Sequence, residues 1–132
     1  MRARFDKLVV VRGAASRLAA TVFADASSRV AEHEDIAGRL DQAATVPPPE
    51  MGSAMGAALA AQLELSDRMR AARRVARGRI VVATAERDDA AVARKGARRA
   101  LDAAVDIRRA EQQAIRVRRE VRVVPVVGRR PS

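Results

Sequence analysis

Three consecutive prolines at positions 47–49 constrain the fold of this chain more than any other feature of its sequence. Proline has no amide hydrogen to donate, and it pushes the residue before it out of the α-helical region. A helix is therefore not expected to run through these residues. The segment 45–53, which also holds Gly52, is predicted to form a turn that separates two long stretches of the chain.

Apolar side chains recur at steps of three and four on both sides of this turn, which is typical of one face of an α-helix. The first stretch predicts a helix over about 4–44 through Phe5, Leu8, Ala15, Leu18, Val22, Ala26, Val30, Ile36, Leu40 and Ala43. The second stretch predicts a helix over about 52–122, with a seven-residue row of Met55, Gln62, Met69, Ala76, Ala83, Ala90, Ala97 and Ala104. Because this row is mostly alanine, we expect a narrow seam that a partner helix approaches closely.

A short turn between two long helices makes them antiparallel neighbours. The predicted fold class is all-α, an antiparallel two-helix coiled-coil hairpin with a longer second helix. Its segments are the first helix at 1–44, the Pro-rich turn at 45–53, the second helix at 54–122 and a flexible tail at 123–132. The tail is predicted because Pro125 interrupts a run of β-branched residues.

A turn centred near residue 48 would pair position i of the first helix with about position 96 minus i of the second. Phe5 would then lie opposite Val92, and residues 93–122 would project as an overhang of about 45 Å at 1.5 Å per residue. An unpaired apolar stripe surrounded by cationic side chains is expected to bind a partner. Its candidate contact residues are Arg94, Arg98, Leu101, Ile107, Arg108 and Ile115.

The net charge of +10 is unevenly distributed along the chain. Residues 1–50 carry seven basic and seven acidic side chains, whereas residues 51–132 carry nineteen and nine. The partner should therefore be acidic, which fits nucleic acid, an anionic membrane or an acidic protein surface. The Arg-rich run 68–79 is either such a contact or an ordinary solvated helix face. Only Phe5 and Phe23 could stack on bases, and their position outside this run disfavours single-strand recognition.

The sequence offers little for catalysis or for holding a cofactor. The chain has no cysteine, which excludes disulfides and thiolate metal sites. The one histidine, His33, has no second histidine four residues away, so we interpret it as part of a solvated polar patch. The neighbouring Asp88 and Asp89 point in different directions on a helix. We therefore expect no enzyme activity, no metal and no cofactor.

No apolar run approaches the ~20 residues that a membrane-spanning helix needs. The basic start of the chain is followed by an apolar run, 8–11, that is too short for a signal peptide. These features predict a cytoplasmic protein that is at most peripheral to the inner face of the cell membrane.

The opening run Arg4–Arg12, the Ala/Arg-rich periodicity and the Arg-rich carboxyl end resemble the FliJ family, small coiled-coil proteins of the flagellar type III export apparatus. The resemblance implies a stalk that couples the export ATPase ring to the export gate in motile bacteria, without a small-molecule substrate. By position, the paired ends and the overhang would meet the ring. Residues near the turn would face the gate, namely Ile36, Leu40, Met55 and Leu59. The chain departs from the family in its proline-rich turn and its scarcity of Gln and Glu.

Two alternative functions remain open from the sequence. The basic excess would suit a coiled coil that binds nucleic acid, with a steep dependence on salt concentration. The overhang would also suit a structural protein that associates with further copies of itself.

Overall fold

The computed structural model describes the backbone of residues 2–45 and 55–128, and the side chains of residues 4–45 and 56–122. It contains helix α1 (Arg2–Ala44) and helix α2 (Met55–Gly128), and the described residues form no strand. The two helices pack against each other in antiparallel order. This confirms the predicted all-α hairpin and its longer second helix.

Helix α1 ends where the sequence predicts. The Thr45 amide donates to the Gln42 carbonyl over 3.1 Å, and the Thr45 hydroxyl donates to the same oxygen over 2.7 Å. These two bonds tighten the last turn and satisfy a carbonyl that the helix itself leaves unpaired. Most of the predicted turn lies outside the described residues, since these stop at Thr45 and resume at Met55.

Helix α2 continues past its predicted end at residue 122 and reaches Gly128. Pro125 therefore lies inside a helix rather than in a flexible tail. Proline removes one hydrogen bond from the helical ladder, but the residues after it can resume helical dihedral angles. Residues 129–132 of the predicted tail lie outside the described part of the chain.

The chain divides into two compact units, each of which pairs a part of α1 with a part of α2. Unit 1 consists of Met1–Ala20 and Val92–Ser132. In it, a Cβ built on Gly13 would lie 3.9 Å from Leu101 Cδ1, and Arg108 Nη1 lies 3.9 Å from Asp6 Oδ1. As the residue number rises on one helix it falls on the other, and the two numbers of each pair add up to 114.

Unit 2 consists of Thr21–Ala91. Its clearest contact between the helices is a 2.8 Å hydrogen bond from Arg73 Nε to Asp41 Oδ1. Arg77 Nη2 lies 3.9 Å from the same carboxylate oxygen. The numbers 41 and 73 also add up to 114, so this unit has the same register as unit 1.

The predicted register, in which paired numbers add up to 96, is wrong. The observed sum of 114 differs by 18 residues, which is five helical turns at about 3.6 residues per turn. The same face of α2 therefore meets α1 in both registers, and side-chain periodicity cannot distinguish them. The expected pairing of Phe5 with Val92 and the start of the overhang at residue 93 both assumed the sum of 96, so both are wrong.

The core of the hairpin is a narrow seam of small side chains. The buried apolar residues are Ala26, Val30, Ala76, Ala83, Ala90 and Ala104, each at most 8% exposed. The four from α2 belong to the predicted seven-residue row, which confirms the alanine-lined seam. Alanine buries little apolar area, so the backbones must approach closely for the seam to hold the hairpin together.

A second seven-residue row on α2 lies beside the alanine row, offset by three residues toward the amino end, and it consists of arginine and aliphatic residues. Its members are Arg73, Ile80, Arg87, Arg94, Leu101, Arg108 and Ile115, most of them half-buried. Arginine can lay its apolar stem along such a seam and keep its guanidinium group in water. Arg73 and Arg108 of this row reach carboxylates on α1, so the seam is held by packing and charge together.

Candidate partner-binding surface

Four of the candidate contact residues belong to unit 2. Ile36 is 44% exposed and Leu40 is half-buried, and both line a shallow groove with His33, Ala72, Val75, Ala76 and Arg79. Leu59 is 54% exposed, and the side chain of Met55 lies outside the described residues. The groove therefore brings together two of the four, Ile36 and Leu40.

The other six candidate residues belong to unit 1, where the corrected register changes their roles. Leu101 is half-buried beside Gly13, so it packs in the seam against α1 and is not available to a partner protein. Arg108 is paired with Asp6, and its Nε atom is buried without a hydrogen-bond partner among the described atoms. Ile115 is half-buried.

The remaining three lie away from the middle of the seam. Ile107 is 45% exposed. Arg98 Nε lies 3.5 Å from Asp102 Oδ1, four residues along the same helix. Arg94 is exposed and has an interaction partner within the chain. Of the six candidates, Ile107 is thus the clearest exposed apolar position.

Helix α2 extends past α1 in each unit. In unit 2, residues 56–69 precede the level of the α1 end, and the leucines there are exposed: Leu59 by 54%, Leu63 by 59% and Leu65 by 60%. In unit 1, residues 113–122 follow the level of the α1 start, with Val117 47% and Val121 60% exposed. The unpaired part at the carboxyl side is therefore shorter than the sequence predicted.

Folding concentrates positive charge in unit 1. The sequence of unit 1 contains 17 basic and 5 acidic residues, a net charge of +12. Unit 2 contains 9 basic and 11 acidic residues, a net charge of −2. The sequence placed the excess positive charge in residues 51–132. In the fold this excess belongs to unit 1, and both helices contribute to it.

Neutralisation by acidic neighbours is limited in unit 1. Its described side chains include the ion pairs of Arg98 with Asp102 and of Arg108 with Asp6, and Arg17 and Arg94 each have a further interaction. In unit 2, Glu64 and Arg68 stand four residues apart on α2 and form an ion pair, with 2.6 Å between Oε1 and Nη2. Arg116 and Glu120 of unit 1 have the same four-residue spacing, but they form no ion pair among the described side chains.

The described residues contain no group of three or more histidine, aspartate or glutamate side chains that could hold a metal ion. His33 is half-buried in the groove of unit 2, where the sequence suggested a solvated patch. Within the described part of the chain, no helix is long and apolar enough to cross a membrane.

Comparisons of this chain with protein-family models, with curated proteins and with solved structures found no match.

Sequence reasoning overlooked several exposed residues. Leu63 and Val117 do not follow the three- and four-residue steps of the seam, so the apolar pattern does not include them. Their positions beyond the level of α1 follow only from the register. Asp6 and Asp41 were also overlooked, because the arginines opposite them are known only once the register is known.

Proposed function

We propose that this chain is a non-enzymatic adaptor, a coiled-coil stalk of a flagellar type III export apparatus that couples the export ATPase ring to the export gate. The proposal combines the FliJ-like opening and periodicity of the sequence with a hairpin of two unequal helices. Such a protein works by holding partners, and the ATPase carries out the catalysis. Its place would be the cytoplasm, at most at the inner face of the membrane.

The observation that carries this proposal is the extension of α2 past α1 in both units. A linking protein needs a separate contact region for each partner. Residues 56–69 and residues 113–122 each present exposed apolar side chains at a level that α1 does not reach. Apolar side chains of this kind, surrounded by polar ones, are typical of protein contact regions.

The corrected register changes which residues we assign to each partner. The ATPase ring would meet residues 113–122 with Ile107 nearby, since Leu101 and Arg108 are engaged with α1. The gate would meet the leucines of residues 56–69 and the groove that holds Ile36 and Leu40. The charge of the two units fits this assignment if the ring surface is acidic, because the proposed ring contact lies in the cationic unit.

The test measures binding of the purified chain to the export ATPase and, separately, to the cytoplasmic domain of the gate protein from the same organism. The variant V117D/V121D should weaken ATPase binding by about tenfold or more, the equivalent of ~1.4 kcal/mol, and leave gate binding unchanged. The variant L59D/L63D should do the reverse. All four side chains are exposed, so the hairpin should keep its helical circular dichroism.

A matched control is V81D/V92D, since Val81 and Val92 are 70% and 72% exposed and stand at levels where α1 is present. This control should retain both partners. Failure of the unmodified chain to bind either protein at micromolar concentration would reject the proposal. Equal losses in all three variants would also count against it, since added negative charge would then explain the effect.

A further inference from the structure

The arginines near the carboxyl end of α2 lie past the level at which α1 begins. Residues 113–122 contain Arg116, Arg118, Arg119 and Arg122 with a single acidic residue, Glu120, and all five side chains are exposed. These four arginines form no ion pair among the described side chains. They belong to the unit with a net charge of +12.

Past the level of the first residue of α1, both seam rows on α2 continue with arginine. Continued by seven-residue steps, the alanine row passes through Glu111 to Arg118, and the second row passes from Ile115 to Arg122. The level of Arg2, the start of α1, lies at about residue 112 in the observed register. The side of α2 that packs on α1 at lower residue numbers thus presents guanidinium groups here, and no helix of the described part of the chain faces them.

We infer that residues 113–122 and the neighbouring cationic side chains of unit 1 bind the phosphate backbone of double-stranded nucleic acid. This activity does not depend on the adaptor role, although both would use residues 113–122. Of the 14 described cationic side chains in unit 1, 12 are arginines. Arginine offers a planar fork of donors that bonds phosphate oxygens in pairs, which suits this ligand better than lysine does.

The dimensions of the segment fit a duplex. A single α-helix with its side chains is about 10–12 Å wide, and the major groove of B-form DNA is about 12 Å wide. A helix without a neighbour can enter that groove, whereas a pair of helices side by side cannot. Arginines on several sides of such a helix would reach the phosphates on both edges of the groove.

The composition of unit 1 argues against other polyanions. Single strands are bound by stacking bases on aromatic rings, and Phe5 is the one aromatic residue in the sequence of unit 1. Helices that lie on membranes use Trp, Phe and Leu, and residues 113–122 contain none of these.

The experiment measures fluorescence anisotropy of a labelled 24-base-pair duplex with the full chain at several salt concentrations. The variant R116Q/R118Q/R119Q should weaken binding by roughly tenfold to a hundredfold, and it should reduce the slope of log affinity against log salt by roughly 0.9 for each phosphate that is no longer neutralised. The control R70Q/R74Q/R79Q removes the same charge from unit 2 and should change affinity by less than about threefold. All six side chains are exposed, and circular dichroism checks that both variants stay helical.

Three outcomes would overturn the inference. One is no binding of the unmodified chain at 50 mM salt. Another is an equal loss of duplex affinity in both triple variants, which would mean that net charge alone explains the binding. The third is tighter binding to vesicles containing phosphatidylserine than to the duplex, with the same dependence on Arg116, Arg118 and Arg119, which would make the ligand a membrane.

Discussion

Arg73 on α2 donates a 2.8 Å hydrogen bond from its Nε atom to Oδ1 of Asp41 on α1. Arg73 is 33% exposed and Asp41 is 50% exposed, so water screens the pair only in part. Arg77 adds a second guanidinium group 3.9 Å from the same oxygen. Because an alanine-lined seam packs similarly after a shift along the helix axis, a charged pair of this kind helps to select one register.

Removal of the Asp41 charge should therefore destabilise the hairpin. We expect Asp41→Asn to lower the free energy of unfolding by about 0.5–1 kcal/mol, the upper part of the range for exposed ion pairs. Urea denaturation followed by circular dichroism measures the change. The matched control is Asp35→Asn, which breaks an exposed pair with Arg39 inside one helix and should cost less than about 0.5 kcal/mol. A double-mutant cycle of Asp41→Asn with Arg73→Gln that gave no coupling energy would contradict this role.

The close approach of the helices predicts that the seam cannot accept larger side chains. Ala83 is 4% exposed in the middle of the alanine row. We expect Ala83→Leu to lower the free energy of unfolding by about 1–3 kcal/mol, because added methylene groups force packed elements apart. Thermal denaturation should show a lower midpoint for this variant.

The control for this change is Ala85→Leu, two residues along the same helix. Ala85 is exposed, and leucine is nearly as good a helix former as alanine, so the midpoint should move little. If Ala83→Leu lowered the midpoint no more than Ala85→Leu does, the helices would not be closely packed.

Two glycines should be stabilising targets. A Cβ atom built on Gly38 or on Gly78 meets no atom within 4 Å, and neither residue has a positive φ angle. Each Gly→Ala change should therefore raise the free energy of unfolding by about 0.5–1 kcal/mol, the difference in helix propensity. The reverse change at an exposed position, Ala85→Gly, should lower it by a similar amount. Destabilisation by either alanine would indicate a close neighbour at that glycine.

The sequence predicted the helices and the seam because both depend on local patterns. The seven-residue spacing of Ala76, Ala83 and Ala90 identifies one face of α2 wherever the partner helix begins. Thr45 and the prolines after it place the end of α1 within a residue. Such signals need no knowledge of the rest of the chain.

The register could not be predicted in the same way. It depends on the path of the segment after Thr45 and on which arginines of α2 meet Asp6 and Asp41. Acidic and basic residues are frequent enough that several pairings satisfy the pattern. The candidate surface was predicted from the wrong register. Leu101 and Arg108 were therefore expected to be free, whereas they pack against α1.

The most direct test of the register is a pair of electron-spin distance measurements within unit 2, which the absence of cysteine in the sequence makes straightforward. Labels are placed on exposed residues, at Gln42 with Arg74 in one sample and at Gln42 with Gly56 in the other. In the observed register Gln42 lies level with residue 72, sixteen residues beyond Gly56, which is about 24 Å along the helix axis. We predict that the distance from Gln42 to Arg74 is the shorter one, by about 15 Å once a helix separation of 8–10 Å is included. A shorter distance from Gln42 to Gly56 would restore the tight-turn register and contradict the observed one.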